Sequence, residues 1–203
     1  MIISTGMSTL EEVKDAISTC YKAGNQDLVI LQCTANYPAD IKNSNVKVIK
    51  FYRDNLKVIP GYSDHTIGKI SSICAVAIGA KVVEKHFTLD KNLPGPDHQA
   101  SMEPAELKDF IQSIRESEVA VGNGRKTITG EEKQNKLRLQ KSVVTINKLT
   151  KGQIISKDNI AIKRPADGIP PKYFYKLFGI KVKKNVPADF PLKFSDLSKL
   201  PQR

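Results

Sequence analysis

The sequence has few cysteines and no long apolar run, and both shortages limit what the protein can be. Its only cysteines are Cys20, Cys33 and Cys74. Their odd number and the lack of C-x-x-C spacing predict reduced, buried thiols and argue against a disulfide framework or a cysteine zinc site. The longest stretch of low polarity, residues 73–80, is far shorter than the roughly 20 residues that span a bilayer. No basic segment with a cleavage site begins the chain, so we expect a cytoplasmic protein without a secretory signal or a membrane partner.

Acidic residues are scarce toward the carboxyl end. The formal net charge is +11, and residues 141–203 contain 14 Lys/Arg against four Asp/Glu. This segment has no RNP motif, zinc-finger spacing or basic helix, so we do not expect a nucleic-acid partner. A basic surface of this kind can instead attract a phosphorylated or carboxylated small molecule.

Histidine is also rare, but two of the three histidines follow short apolar runs. His65 comes after residues 57–59 and His86 after residues 81–83. Both runs predict buried strands, joined by a helix within residues 67–80. If these strands are parallel neighbours, both imidazoles lie on the same rim of the sheet, where they can hold a divalent metal with open coordination positions. From spacing alone, the simpler interpretation is favoured: two loop histidines that only form hydrogen bonds.

The same alternation extends back to the amino terminus. Apolar runs at residues 1–4 and 28–32 predict two more strands, and capping residues Ser8 (with Glu11) and Ser44 predict the helices that follow them. The resulting β-α-β-α-β-α-β order indicates a parallel sheet covered on its faces. Each predicted strand is followed by polar residues, as at the active face of a (β/α) barrel or in the crevice of an open sheet. Four strands are half of an eight-stranded barrel.

The pattern changes after this α/β segment. A long loop at residues 89–102 has the length of a binding loop, and a helix then runs from Pro104 to about Gly122. We predict three parts: an α/β domain at 1–124, a polar linker at 125–140 and a small β-rich module at 141–203. Short β-type runs at 142–146, 159–162 and 181–186 define that module.

Seven motifs occur here in the order in which they occur in the sialic acid synthase family. They are ISTGM (3–7), CT (33–34), YP (37–38), GYSDHT (61–66), EKHFT (84–88), GPDH (95–98) and KRP (163–165) with GI (168–169). Over essentially its whole length, the chain resembles the second half of an N-acetylneuraminate synthase. The resemblance implies a partial (β/α)8 TIM barrel, comprising about the last four β/α units, followed by a SAF, or antifreeze-like, domain of the β-clip type.

The resemblance also implies an activity and a site. Members of the family condense phosphoenolpyruvate with N-acetylmannosamine or a related N-acyl sugar, release phosphate and require a divalent metal, Mn²⁺ or Mg²⁺. Matched motif by motif, the implied residues are His65 and His86 for the metal, Ser4 and Ser63 for phosphoenolpyruvate, and Asn36, Tyr37, Asp97 and Arg164 for the sugar. His65, His86 and Asp97 are the implied catalytic residues. Asn36 stands one position later than the asparagine of some members. Arg164 would reach the barrel of the neighbouring subunit in a homodimer.

The family's barrel begins before the first motif found here. Its first four strands would carry further phosphoenolpyruvate-binding residues, including a lysine, and an acidic group near the reacting centre. We therefore expect this polypeptide to be inactive alone and to need a companion chain that supplies those strands. Two other interpretations stay open: a legionaminate-type nonulosonate synthase, and a non-catalytic carbohydrate-binding protein that acts through the SAF domain.

Overall fold

Four parallel strands lie side by side in the order in which the chain forms them. The computed structural model describes residues Met1–Pro201 and divides the chain into a first unit, Met1–Gly124, and a second that begins at Arg125. The strands of the first unit are β1 (Ile2–Ser4), β2 (Val29–Cys33), β3 (Ile59–Asp64) and β4 (Val82–Lys85). The helices between them are α1 (Leu10–Lys22), α2 (Val48–Asn55) and α3 (Ile70–Ile78), and α4 (Pro104–Val121) packs against α3. The predicted element order is confirmed.

Strands β3 and β4 extend further than their apolar runs predicted. β3 continues to Asp64 and β4 to Lys85, so five residues that were expected after the third strand, 60–64, belong to it. The register pairs Ser63 with Glu84 and Asp64 with Lys85. The sequence pattern misplaced these strand ends because a strand can continue through polar residues as long as its backbone ladder continues.

Two helix starts also differ from the prediction. The cap of α1 is Thr9, not Ser8. The Thr9 N–H donates to the Glu12 carboxylate at 2.7 Å, and the Thr9 hydroxyl accepts from the Glu12 N–H at 3.4 Å. Helix α2 starts at Val48, and Ser44 does not cap it. The Ser44 hydroxyl is instead buried against the Ser71 hydroxyl at 3.2 Å.

The two faces of the sheet have different surroundings. Ile30 and Tyr62 point toward the helices and are 1% exposed within the two clusters that form the core of the first unit. On the opposite face Leu31 is buried, but Ile2 and Ile59 are 59% and 48% exposed. This face is therefore apolar and only partly covered.

The second unit contains little regular structure. Its elements are α5 (Gly130–Leu139) and the antiparallel pair β5 (Ser142–Thr145) and β6 (Ile160–Lys163). Two short 3₁₀ turns also lie in this unit, Pro171–Leu177 and Phe194–Asp196, and two lie in the first unit, Ile41–Asn43 and His98–Ala100. The predicted linker at 125–140 thus contains a helix. Because none of its side chains is buried, its sequence has no apolar stripe to reveal it. Residues 181–186 form only isolated bridges, not the predicted strand.

The three cysteines are free, but only Cys33 is buried, and Cys74 is exposed. The prediction of buried thiols is therefore wrong for Cys74. Within residues 1–201, no helix combines the length and the apolar character needed to cross a membrane.

Gly61 lies on the partly covered face of the sheet, where atoms of the two neighbouring strands leave no room for a Cβ. A Cβ at Gly61 would collide with Leu31 Cδ2 and lie 2.8 Å from the carbonyl oxygen of Val82. We expect Gly61→Ala to lower the free energy of unfolding by about 1–3 kcal/mol, because the backbone of β4 cannot move aside. Urea denaturation checks this. Gly130→Ala is the control, since a Cβ there meets no atom within 4 Å. The stability of this variant should not fall below that of the parent. Equal stability of Gly61→Ala and the parent would contradict the argument.

Candidate functional site

The rings of His65 and His86 meet just beyond the ends of β3 and β4. Their centroids are 5.2 Å apart and their planes are inclined at 76°. Ser63 and Glu84, two residues earlier in each strand, are register partners, so the alternation of the strands sends both imidazoles to the same face. The structure thus places the two histidines on one rim, as their spacing predicted.

His65 is held at its ring and at its backbone by the loop after β2. Its Nδ1 lies 2.9 Å from the carbonyl oxygen of Thr34, and its own carbonyl accepts a hydrogen bond from the Ala39 N–H at 2.9 Å. A carbonyl oxygen can only accept, so Nδ1 carries the proton in the neutral ring and Nε2 keeps its lone pair. In metal sites, the ring nitrogen that does not bind the metal usually forms a hydrogen bond that fixes the orientation of the imidazole. The contact of Nδ1 with Thr34 is of this kind.

Tyr37 completes a cluster of three rings. Its ring centroid is 4.2 Å from that of His65 and 5.4 Å from that of His86, and the residue is 56% exposed. Desolvation raises the pKa of its hydroxyl, and the electrostatic effect of the neighbouring Cys33, Asp97 and Glu84 raises it further. The hydroxyl therefore remains protonated and can donate a hydrogen bond at neutral pH.

Glu84 is a site residue that the sequence analysis missed. The buried Ser63 hydroxyl donates to its carboxylate at 2.6 Å and lies 3.5 Å from Nε2 of His65. Glu84 is two residues before His86, and residues two apart in a strand face the same side. Had β4 been predicted to extend through Glu84, this two-residue alternation would have placed the Glu84 carboxylate on the same face as the histidines.

The remaining predicted residues lie around this cluster or outside the first unit. Asp97 is exposed, and its charge acts on Tyr37. Ser4, at the end of β1, and Asn36, after β2, are also exposed, and within residues 1–201 neither side chain forms a hydrogen bond with the histidines. Arg164 follows β6 in the second unit and is exposed.

Hydrogen bonds within the loop at 89–102 and to Thr88, which precedes it, hold this loop in place. His98 Nδ1 lies 2.7 Å from the Thr88 hydroxyl, and Ser101 Oγ donates to the carbonyl oxygen of Asp97 at 2.7 Å. Gly95 has φ +143°, and a Cβ there would lie 3.1 Å from the His98 ring, so only glycine is compatible with this close approach. These contacts give the Asp97 backbone a fixed place.

The donor set suits a divalent metal that also uses other ligands. With metal–nitrogen bonds of about 2.0–2.2 Å, two imidazoles that share one cation have centroids on the order of 5 Å apart. The observed separation of 5.2 Å fits. Among the residues that the structure describes, no group of three or more His, Cys, Asp or Glu side chains could hold a metal. Two histidines would therefore leave several positions for substrate or water.

Comparison with known proteins shows which families the two units match. The model of the NeuB family matches residues 1–126, and that of the SAF domain matches residues 140–198. An N,N'-diacetyllegionaminic acid synthase of Campylobacter jejuni is 42% identical over 93% of this chain and 57% of its own length. The human N-acetylneuraminate-9-phosphate synthase is 39% identical over 93% of this chain and 53% of its own.

A solved structure extends the likeness to the fold. The spore coat polysaccharide biosynthesis protein SpsE of Bacillus subtilis superposes with a TM-score of 0.56 at 33% identity, over 98% of this chain and 61% of that one. The parallel sheet of the first unit is thus part of a (β/α) barrel, followed by a SAF domain. The chain spans little more than half the length of the curated relatives it matches.

The contact with Thr34 predicts the tautomer of His65. In the metal-free protein, at a pH where the ring is neutral, we expect the proton to reside on Nδ1. Long-range ¹H–¹⁵N correlation spectra distinguish the two ring nitrogens. His98 is the reference, because its Nδ1 faces a hydroxyl that can donate or accept. A neutral His65 protonated mainly on Nε2 would contradict the prediction.

Proposed function

Because the chain belongs to the NeuB family, we propose that it is part of a synthase that condenses phosphoenolpyruvate with an N-acyl amino sugar and releases phosphate. The observation that carries this proposal is the cluster of His65, His86 and Tyr37 beside Ser63, at the carboxyl ends of parallel strands. Active sites of (β/α) barrels lie at this end. The activity is proposed for the whole enzyme, of which the chain spans part.

We assign His65 and His86 as the protein ligands of Mn²⁺ or Mg²⁺. When bound, the metal would supply Lewis acidity toward the sugar aldehyde. His65 is prepared for this role, since Thr34 holds its proton on Nδ1 and leaves Nε2 available. The absence of a third protein ligand among residues 1–201 suits a metal that also contacts substrate.

The hydroxyl groups on the rim suit an anionic substrate. We propose that Ser4 and Ser63 donate hydrogen bonds to the phosphate or carboxylate of phosphoenolpyruvate, as the family resemblance implies. Hydroxyl groups can hold such anions without competing as nucleophiles. The Ser63 hydroxyl now donates to Glu84, so it would have to turn toward the substrate when the substrate binds.

The sugar would lie on the Tyr37 side of the histidines. The protonated Tyr37 hydroxyl can donate to a sugar oxygen, and the Asp97 carboxylate can accept from a sugar hydroxyl. We propose Asn36 as a further contact. Arg164 of a neighbouring subunit would hold the N-acyl carbonyl with its guanidinium group, which makes a homodimer part of the proposal.

The proposed reaction forms one carbon–carbon bond. Carbon 3 of phosphoenolpyruvate attacks the aldehyde carbon of the sugar, and the aldehyde oxygen takes up a proton. Water then adds to the cationic carbon 2, and the resulting tetrahedral intermediate expels phosphate. The residues of this chain contribute by binding and orienting the two substrates at the rim.

The test is phosphate release in a complemented enzyme. We expect the 203-residue chain alone to release no phosphate from phosphoenolpyruvate and N-acetylmannosamine. Co-expression with the amino-terminal part of the Campylobacter relative that this chain does not span should restore Mn²⁺-dependent release. His86→Ala in that enzyme should lower the rate at least about 100-fold, because it removes a proposed metal ligand. Lys108→Ala, at an exposed position of α4, is the control.

Two results would contradict this proposal in different ways. Phosphate release by the chain alone would remove the need for a companion. A folded, complemented enzyme that releases no phosphate with any N-acyl amino sugar tried would argue against a synthase.

A legionaminate-type sugar is the second candidate, because the legionaminic acid synthase of Campylobacter jejuni is 42% identical to this chain. We expect that a synthase of that type would show a higher kcat/KM for the precursor of N,N'-diacetyllegionaminic acid than for N-acetylmannosamine. Measuring both sugars with the complemented enzyme decides between the candidates. A higher kcat/KM for N-acetylmannosamine would favour the neuraminate synthase.

A further inference from the structure

A buried ion pair lies directly behind the two histidines, on the side of the sheet that faces the helices. Asp64 and Lys85 are the last residues of β3 and β4 and are register partners. Lys85 Nζ lies 3.3 Å from Asp64 Oδ2, and the two side chains are 4% and 0% exposed. Each residue of the pair immediately precedes one of the histidines.

The pair also holds the turn that follows His65. Asp64 Oδ1 accepts from the Thr66 N–H at 2.9 Å and from the Thr66 hydroxyl at 2.7 Å, while Oδ2 accepts from the Ser72 hydroxyl at 2.5 Å. The Lys85 ammonium donates to the carbonyl oxygen of Thr66. Asp64 and Thr66, which flank His65, are thus both bonded to Lys85. Lys85 immediately precedes His86.

No ladder bond joins the two histidines themselves. The register of β3 with β4 ends at Asp64 and Lys85. Beyond that point the His65 carbonyl accepts from Ala39 and the His86 carbonyl accepts from Met102, so each histidine is tied to a different loop. The bonds from Lys85 to Asp64 and to Thr66 therefore tie the end of β4 to the residues on both sides of His65, while the Ser63–Glu84 hydrogen bond joins the two strands on the opposite face.

We propose that Asp64 and Lys85 are positioning residues, which set the separation and orientation of the His65 and His86 rings for a shared cation. The inference rests on the metal assignment in the proposed function. A shift of about 1 Å between the strand ends would move one imidazole out of bonding distance, because metal–nitrogen distances vary by only about 0.2 Å.

The test uses variants of the pair in the 203-residue chain and two measurements that need no catalysis. The variants are Lys85→Met, Lys85→Arg and the double variant D64N/K85M. Lys69→Met is the control, since Lys69 forms an ion pair with Asp109 at 2.6 Å on α4, with no contact to the histidines. Electron paramagnetic resonance titration gives the Kd for Mn²⁺, and ring-to-ring nuclear Overhauser effects report the His65–His86 contact in the metal-free protein.

We expect Lys85→Met to weaken Mn²⁺ binding about 10- to 100-fold, as loss of a group that orients metal ligands does. It should also remove the ring-to-ring effects. Lys85→Arg should recover binding to within about threefold, because a guanidinium group can donate to both Asp64 and the Thr66 carbonyl. Lys69→Met should match the parent in both measurements.

Removing one partner of a buried ion pair can prevent folding. If Lys85→Met does not fold, D64N/K85M decides the question, because it leaves no unpaired charge. A folded variant without the pair that keeps the parent's Kd and ring contacts would show that the pair only stabilises the fold. If the parent itself binds no Mn²⁺, the metal assignment fails, and the ring contacts still test the positioning separately.

Discussion

The register between β3 and β4 is the constraint on which the site depends. It places Ser63 beside Glu84 on one face and Asp64 beside Lys85 on the other. A slip of one residue would exchange the faces, burying a histidine among the helices and exposing a charge that now has a partner. Polar residues can end these strands on both faces because each polar side chain has a partner directly across the ladder.

The strand register brings His65 to the rim, and contacts from the loop after β2 then fix its ring and its backbone. The loop after β2 provides three different contacts to His65: a carbonyl for its ring from Thr34, an N–H for its backbone from Ala39, and the ring of Tyr37. Most of these are backbone groups, which keep their position when a side chain changes. A site held this way can accept different sugars through changes at the loop surface without disturbing the imidazoles.

Sequence reasoning was most successful where a repeating pattern carried the information. The alternation of apolar runs and helices predicted the element order, and the spacing of His65 and His86 predicted a common rim. It failed where tertiary partners decide the outcome: the polar ends of β3 and β4 belong to the ladder, and α5 has no buried face to produce a pattern. Glu84 was missed for the same reason, since its role depends on the strand reaching Lys85. The structure shows where the predicted site residues lie, but the roles of all of them stay predictions: Ser4, Asn36, Tyr37, Ser63, His65, His86, Asp97 and Arg164.

The partly covered face of the sheet links folding to the proposed chemistry. Ile2 and Ile59 expose more than two fifths of their surface on the face that carries Ser63 and His65. In the relatives, the chain length that this protein does not span amounts to more than two fifths of the whole, enough to complete a barrel around that face. Covering the isoleucines would stabilise the sheet by about 25 cal/mol per Å² of apolar area. The same cover would exclude water from the rim and strengthen every charge interaction there. We therefore expect stability and metal affinity to rise together when the rest of the barrel is supplied.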